Sequence, residues 1–464
     1  MSDWRHAAQP DRTWKVIYTS SKTMQPASLG IRSVFFSAAC LLAAAAEAPP
    51  SYQTIQPLLA ERCGGCHKPG EIGPMPLTSY AEVRPWAKAI KEAVLLHTMP
   101  PWFADKKVSE RFRNDRSLSP EEIRRIVAWV DAGAPAGEGV TVTARPVGND
   151  PVEPSRKPDV VIKVPGMHVP ASGTIEYTFL VTNLHFQEDK WIQGAEWRID
   201  HREVVHHMNA YVRPPGSSYV ATAPYGVPYV ASKSERTARR TDESENDRRE
   251  LLIGYEPGYR PEDWGADRAK LIRKGSDMVF EMHYTANGKA VVDSSELWLY
   301  FADHPPKERV LSLQPSDRGL AIPPGDPNYH SFTAAKFTSP VTLISVQPHM
   351  HLRGKAYQME AVYPDGRREM LIRVPRYDFR WQTTYFLSNP LPLPKGTVIE
   401  CSAWYDNSPN NPNNPDPDKT IRWGDQSWDE MNVGFLEVTF DAANSAEVAV
   451  LSSNSTAPLV PPRQ

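Results

Sequence analysis

The chain has 464 residues, a formal net charge of −3, and 40% hydrophobic and 23% charged residues. That balance belongs to a globular protein of two to four domains and excludes a global basic field for nucleic acid or acidic membrane surfaces. Only Cys40, Cys63, Cys66 and Cys401 are present, which excludes a disulfide-built scaffold and leaves Cys401 without a partner in the large C-terminal remainder.

Residues 1–48 read as an N-terminal extension and signal peptide. The stretch VFFSAACLLAAAAEA is apolar, too short to span a bilayer comfortably, and ends in small residues before Glu47. Cleavage is expected near Ala46, with Met24 as the true start. The alternative is a short membrane anchor. Either way the chain is expected to be exported and to face the periplasm, with no stable membrane insertion of its body.

Residues 49–137 read as helical. SYAEVRPWAKAIKEAVLL opens with Ser79 and Glu82 at capping-box spacing, and SPEEIRRIVAWVDAGAP has Ser119 as N-cap, Pro120 at the first helical position and Gly133 near the stop. Residues 138–158 form a Pro-rich polar linker. Past Asp159 the hydrophobic period becomes two, in IEYTFLVTN, MVFEMHYT, ELWLYFAD, VTLISVQPHMHL and MNVGFLEVTF. A break near DHPPKERV divides this part into 159–308 and 309–446. The expectation is a multidomain chain: a small all-α domain, then two all-β, jelly-roll-like sandwiches. SKSERTARRTDESENDRRE is a charged, solvated loop, and residues 447–464 are expected to be a disordered tail.

Within the helical part, CGGCHKPG at Cys63 to Gly70 is a C-x-x-C-H motif. Two thiols at this spacing can bond to the vinyl groups of a haem, and His67 can then bind its iron. A redox dithiol would expect a βαβ context, and a zinc site would need further ligands nearby. Met99, followed by two prolines in HTMPPWF, is the expected sixth iron ligand, with Met75 and His97 as alternatives. The region resembles a class I-type cytochrome c domain.

The β part carries a second set of ligand-type residues. VVHHMNAY places His206 and His207 side by side in a strand pattern. EMHYTANG places His283 on the face opposite Met278, Phe280, Met282 and Tyr284. QPHMHLRG places His349 and His351 on one face with Ser345 and Gln347, and Ile344, Val346 and Met350 on the other. SWDEMNVGF offers Met431 at the entry to another strand. Imidazole with thioether suits copper, whereas a structural zinc site would use cysteine. The alternative is that each histidine simply packs or hydrogen-bonds alone.

The ordered set HHM, MHY, HMH and DEM, over 159–446, resembles the copper type II, ascorbate-dependent monooxygenases, the family of peptidylglycine α-hydroxylating monooxygenase and dopamine β-monooxygenase. The resemblance implies two β-sandwich domains, each holding one copper. It implies that His206, His207 and His283 hold an electron-supplying copper, and that His349, His351 and Met431 hold the copper where oxygen binds and hydrogen is abstracted. A bend or a strand end at the histidine pair would turn both imidazoles to one metal. The implied protein hydroxylates a C–H bond of a small organic substrate with O2. Its cofactors are two copper ions and one covalent haem c, attached at Cys63 and Cys66 with His67 and Met99 as axial ligands. An external reductant, ascorbate or a redox partner protein, supplies the electrons. The rival is a non-catalytic copper-binding or electron-transfer protein on the same fold. Departures are clear. Peptide-amidating members hold a substrate carboxylate with an arginine, an asparagine and a tyrosine where this chain has Gln347, Val433 and Phe435. They also carry disulfides, which this chain cannot form there, and they lack a haem domain.

Overall fold

A computed structural model describes residues 49–109, 111–138, 156–231, 249–258, 261–444 and 448–452. The expected signal segment, linker residues 139–155, most of the charged loop and residues 453–464 lie outside the described residues. Among the described residues no helix is long and apolar enough to cross a membrane.

Three helices, Tyr52–Arg62, Ala87–Leu95 and Pro120–Asp131, meet around Tyr52, Leu59, Ile90, Ile126 and Trp129. Both expected capping boxes form. Ser79 N donates to Glu82 Oε2 at 2.9 Å, and Ser119 N donates to Glu122 Oε2 at 2.6 Å. Each box satisfies amides that the first turn leaves without partners.

One expected boundary is corrected. Residues 102–114 lie within 49–137 but pack into the second β core, not the helical one. Trp102 and Phe112 are buried there, with ring centroids 4.8 and 5.2 Å from Tyr385. Backbone bonds fix the strap: Asp105 N to Arg373 O at 2.7 Å, Ser388 N to Arg111 O at 2.7 Å and Arg113 N to Phe386 O at 2.9 Å. Sequence proximity to the helices hid this, because WF and RFR carry no period of their own. Trp102→Ala should therefore lower the stability of the β body by about 3–5 kcal/mol, the usual cost of emptying a buried aromatic site. A denaturant titration followed by strand signal would show it. A midpoint unchanged from the parent would mean the strap adds nothing.

The remainder is mostly β-sheet, in two sandwiches that share a sheet. A nine-stranded sheet runs from strand Val160–Lys163 to strand Tyr385–Leu393. A four-stranded sheet carrying Val205–Arg213 and Asp277–Tyr284 covers its first half, and a five-stranded sheet covers its second half. The halves join where Glu308 and Arg309 pair in parallel with Arg268 and Ala269. Thus the expected break near 308 is a continuous sheet. Lys270 is buried at the joint, 2.7 Å from Glu437 Oε1 and donating to Leu252 O at 2.8 Å and Ser312 Oγ at 2.9 Å. A buried ammonium needs this full set of partners.

Two more corrections concern local pairing. Ala449–Ser452, expected in a disordered tail, is a strand paired with Tyr329–Phe337. The simple alternation in Val341–His349 fails at a bulge between Leu343 and Ser345. Ile344 packs on the first core while Leu343, Val346 and Met350 enter the second. An extra residue in one strand reverses which face follows it.

Candidate metal centre

The first cluster rests on two neighbouring strands. His207 pairs directly with His283, and the register shifts between Val205 and His207, so His206 is the bulged residue. The bulge supplies the bend that lets consecutive imidazoles share a side. The ring centroids of His206, His207 and His283 lie 5.0–5.3 Å apart. Their ligand-type nitrogens all fall within 4.8 Å of one another. His206 Nδ1 and His207 Nδ1 are 3.1 Å apart. Two nitrogens each ~2.05 Å from one tetrahedral ion would be about 3.3 Å apart. His283 Nδ1 is buried with no hydrogen-bond partner, a costly arrangement for a polar atom unless a metal takes its lone pair. The donors therefore fit a metal ion. Tyr177 stacks on the His283 ring at 4.4 Å and holds its plane.

The second cluster lies on the C-terminal half of the shared sheet. His349 ends strand Val341–His349, His351 follows it, and their centroids are 5.2 Å apart. His349 Nδ1 meets Gln382 Oε1 at 2.5 Å, and His351 Nδ1 meets Asp429 O at 3.3 Å. Carbonyl oxygens only accept, so both Nδ1 atoms carry protons and both Nε2 lone pairs are free for a metal. Met431 lies in the approach to strand Val433–Asp441 and lines the same cleft as His349 and His351.

Glu430 builds this second site from beneath. It is fully buried and accepts from the amides of His351 at 2.9 Å, Arg353 at 2.6 Å and Met431 at 3.3 Å. Burial pushes its carboxyl up to about 7, against those bonds and the nearby Arg353. Arg353 donates to Asn407 Oδ1 and Trp428 O, both at 2.9 Å, and is buried away from the cleft.

His207 of the first cluster and His349, His351 and Met431 of the second line one narrow cleft with a free volume of about 30 Å³. Phe379 links them, its ring centroid 5.5 Å from His206 and 5.8 Å from His351. Val433 and Phe435 line the cleft. Gln347 is held by Gln382 O at 2.7 Å and Glu256 Oε2 at 3.2 Å. Two guanidinium groups not singled out from sequence, Arg249 and Arg318, also line it. Arg249 lies 4.0 Å over the Tyr219 ring, and Arg318 lies 5.2 Å over Trp423.

Burial holds His206 and His349 down at about 4 and His283 at about 3, and takes His207 and His351 well below the usual imidazole range. All five are therefore neutral imidazoles at neutral pH. A depressed imidazole contributes stability that is present above its unfolded value and is lost as pH falls through the folded one. The metal-free chain should thus lose stability between about pH 6.5 and about pH 4. Denaturant midpoints across that range check this, and a flat profile would contradict it.

At the C-x-x-C-H motif, His67 Nδ1 meets Met75 O at 3.0 Å, which leaves Nε2 free. Gly73 is required here: a Cβ would sit 2.8 Å from His67 Nδ1 and 2.4 Å from Cys66 O. Burial raises the Cys63 thiol to about 12 and also raises Cys66. Met75 lies behind the His67 ring through its carbonyl and packs on the helical core. Met99 is partly buried past helix Ala87–Leu95 and outside that core.

Sequence reasoning missed Gln382, Glu430, Phe379 and Tyr177. Glu430 stood beside Met431 in DEM, whereas Gln382 and Phe379 come from an aperiodic loop. No family model and no curated protein matches the chain. Among solved structures, that of the infectious bursal disease virus Gx strain is 9% identical over 61% of this chain and 73% of that one, with a TM-score of 0.17. The VP2 subviral particle of the same virus is 10% identical over 63% and 74%, with a TM-score of 0.18. Similarity at this level carries no argument.

Proposed function

We propose that the chain is a copper-dependent monooxygenase that hydroxylates a C–H bond of a small organic substrate with O2. Electrons reach it through a covalent c-type haem on the helical segment. The observation that carries the reading is the convergence on one cleft of two imidazole clusters with free lone pairs, one of them beside a thioether. Copper at these sites would supply the one-electron and dioxygen chemistry. His206, His207 and His283 would hold one ion, His283 through an Nδ1 that has no hydrogen-bond partner. His349, His351 and Met431 would hold the other, with Gln382 and Asp429 O fixing the imidazole tautomers. Thioether favours the cuprous state, and a two-His, one-Met set leaves a coordination position open. Val433 and Phe435 give the cleft an apolar wall. Neither Gln347 nor Arg353 is available to a peptide carboxylate. Candidate substrates should be screened against copper-loaded chain, scored by oxygen consumption coupled to product. A product oxygen derived from water, not from O2, would end the reading.

The haem part is supported by His67, whose Nδ1 proton is engaged so that Nε2 can meet iron. The raised thiols speak against a redox dithiol, which relies on a lowered thiol. Leu95 and Leu96, half exposed or more, leave an apolar surface beside Met99 of the kind a porphyrin covers. Chain matured in an exporting host should show a c-type haemochrome band. Met99→Ala should abolish the methionine–iron charge-transfer band while the covalent haem remains. If Met75→Ala does so instead, the ligand assignment is wrong.

A further inference from the structure

We propose that the helical segment is docked in one fixed pose on the β body, and that Tyr255, with the Glu71–Arg202 pair, couples the haem-attachment loop to the His206/His207/His283 cluster. This rests on the copper and haem reading above, but the contacts themselves belong to the chain. Glu71, four residues past His67, accepts from Arg202 Nη1 at 3.0 Å, and the Glu71 side chain is 8% exposed. Arg202 lies in the turn that leads into the His206 strand. Tyr255 is buried in the first core, and its Cα partner across the sheet is Met208, next to His207. Its hydroxyl is raised first by burial, with the Arg202 charge lowering it and the Glu71 carboxylate raising it, so the ion pair acts on the buried ring. Arg116 of the helical segment covers Gly258, three residues past Tyr255, where a Cβ would come within 2.5 Å of Nη1. These contacts place Glu71, just past the haem motif, against the turn that leads into the His206 strand. A flexible tether gives only an effective concentration, whereas a buried ring and a half-buried ion pair give one geometry.

The coupled event is one electron. It leaves iron, which passes from ferrous to ferric, and reduces one cupric ion at the first cluster to cuprous; no bond forms or breaks and no proton moves.

The test uses the full chain, haem-matured and copper-loaded. Haem and copper are first counted, and their absence would bring down the underlying reading and this inference with it. With both present, haem-reduced, copper-oxidised chain is followed by stopped-flow haem absorbance. Haem oxidation should be first order and independent of protein concentration. It should slow by about tenfold or more in Tyr255→Leu, a decade being a modest addition to a barrier, and fall also in Arg202→Met. The haem midpoint potential should not move in either variant, which separates coupling from a changed driving force. Tyr255→Phe keeps the ring; a parental rate there places the coupling in the ring, and a reduced rate places it in the hydroxyl. Rates unchanged in both Tyr255→Leu and Arg202→Met, or a rate proportional to protein concentration, would overturn the proposal.

Discussion

Glu430→Ala should empty the His349/His351/Met431 site and lower stability by about 3–5 kcal/mol, the range seen when one partner of a buried charged group is removed. The carboxylate is the acceptor for the amides of His351, Arg353 and Met431. Its loss would leave those donors buried without partners, at about 1–3 kcal/mol each before relaxation. It would also remove the first of the three carboxylates whose charge offsets the burial of Arg353, leaving Asp416 and Asp429. The two ligand-bearing segments, 349–353 and 429–431, are tied by these bonds and by His351 Nδ1 to Asp429 O, so both His351 and Met431 should shift when the Glu430 bonds are lost. Copper per chain should fall from two to one, with a lower denaturant midpoint. Glu430→Gln, which keeps one carbonyl oxygen but turns an NH2 toward an amide, should fall between. Full copper with a parental midpoint in the alanine variant would show that the site is held by other means.

The double variant His206→Ala/His207→Ala should lose the other copper and keep the second. Removing even an outer partner of a metal ligand typically costs ~10–100-fold in affinity, and here two of three imidazoles go, leaving His283 alone. The sheet should survive, because the core residues beside the pair, Val205 and Met208, face the opposite layer. His207→Ala alone should disturb the strand more than His206→Ala, since His207 is the residue in register with His283 and His206 is the bulged one. Copper analysis on both single variants and the double checks this. Two coppers still tightly held in the double variant would remove these histidines from the site.

What the sequence made legible followed from periodicity and chemistry. His283 shares its face with Glu281 and Val279 as alternation predicted, with Met278, Phe280 and Met282 in the core behind. Both capping boxes formed as their spacing required. What was not legible depended on register and on long-range contact. The bulges at His206 and Ile344 insert one residue, and no local pattern announces them. Trp102 and Phe112 took their core from strands some 270 residues away along the chain. The parallel pairing of Glu308 with Arg268 merged two sandwiches that composition alone would separate. Gln382 and Phe379 reach the site from a loop whose residues have no period to read. Glu430 was visible as an acid beside a methionine, but its three amide partners exist only once two segments meet.

The most direct measurement is a metal and haem count on full chain matured in an exporting host and supplied with copper and zinc together. The account predicts one covalent haem and two coppers per chain, with one copper lost in His206→Ala/His207→Ala and the other in His349→Ala/His351→Ala. Zinc in place of copper, a single shared ion lost in either double variant, or no metal beyond the haem iron would contradict it.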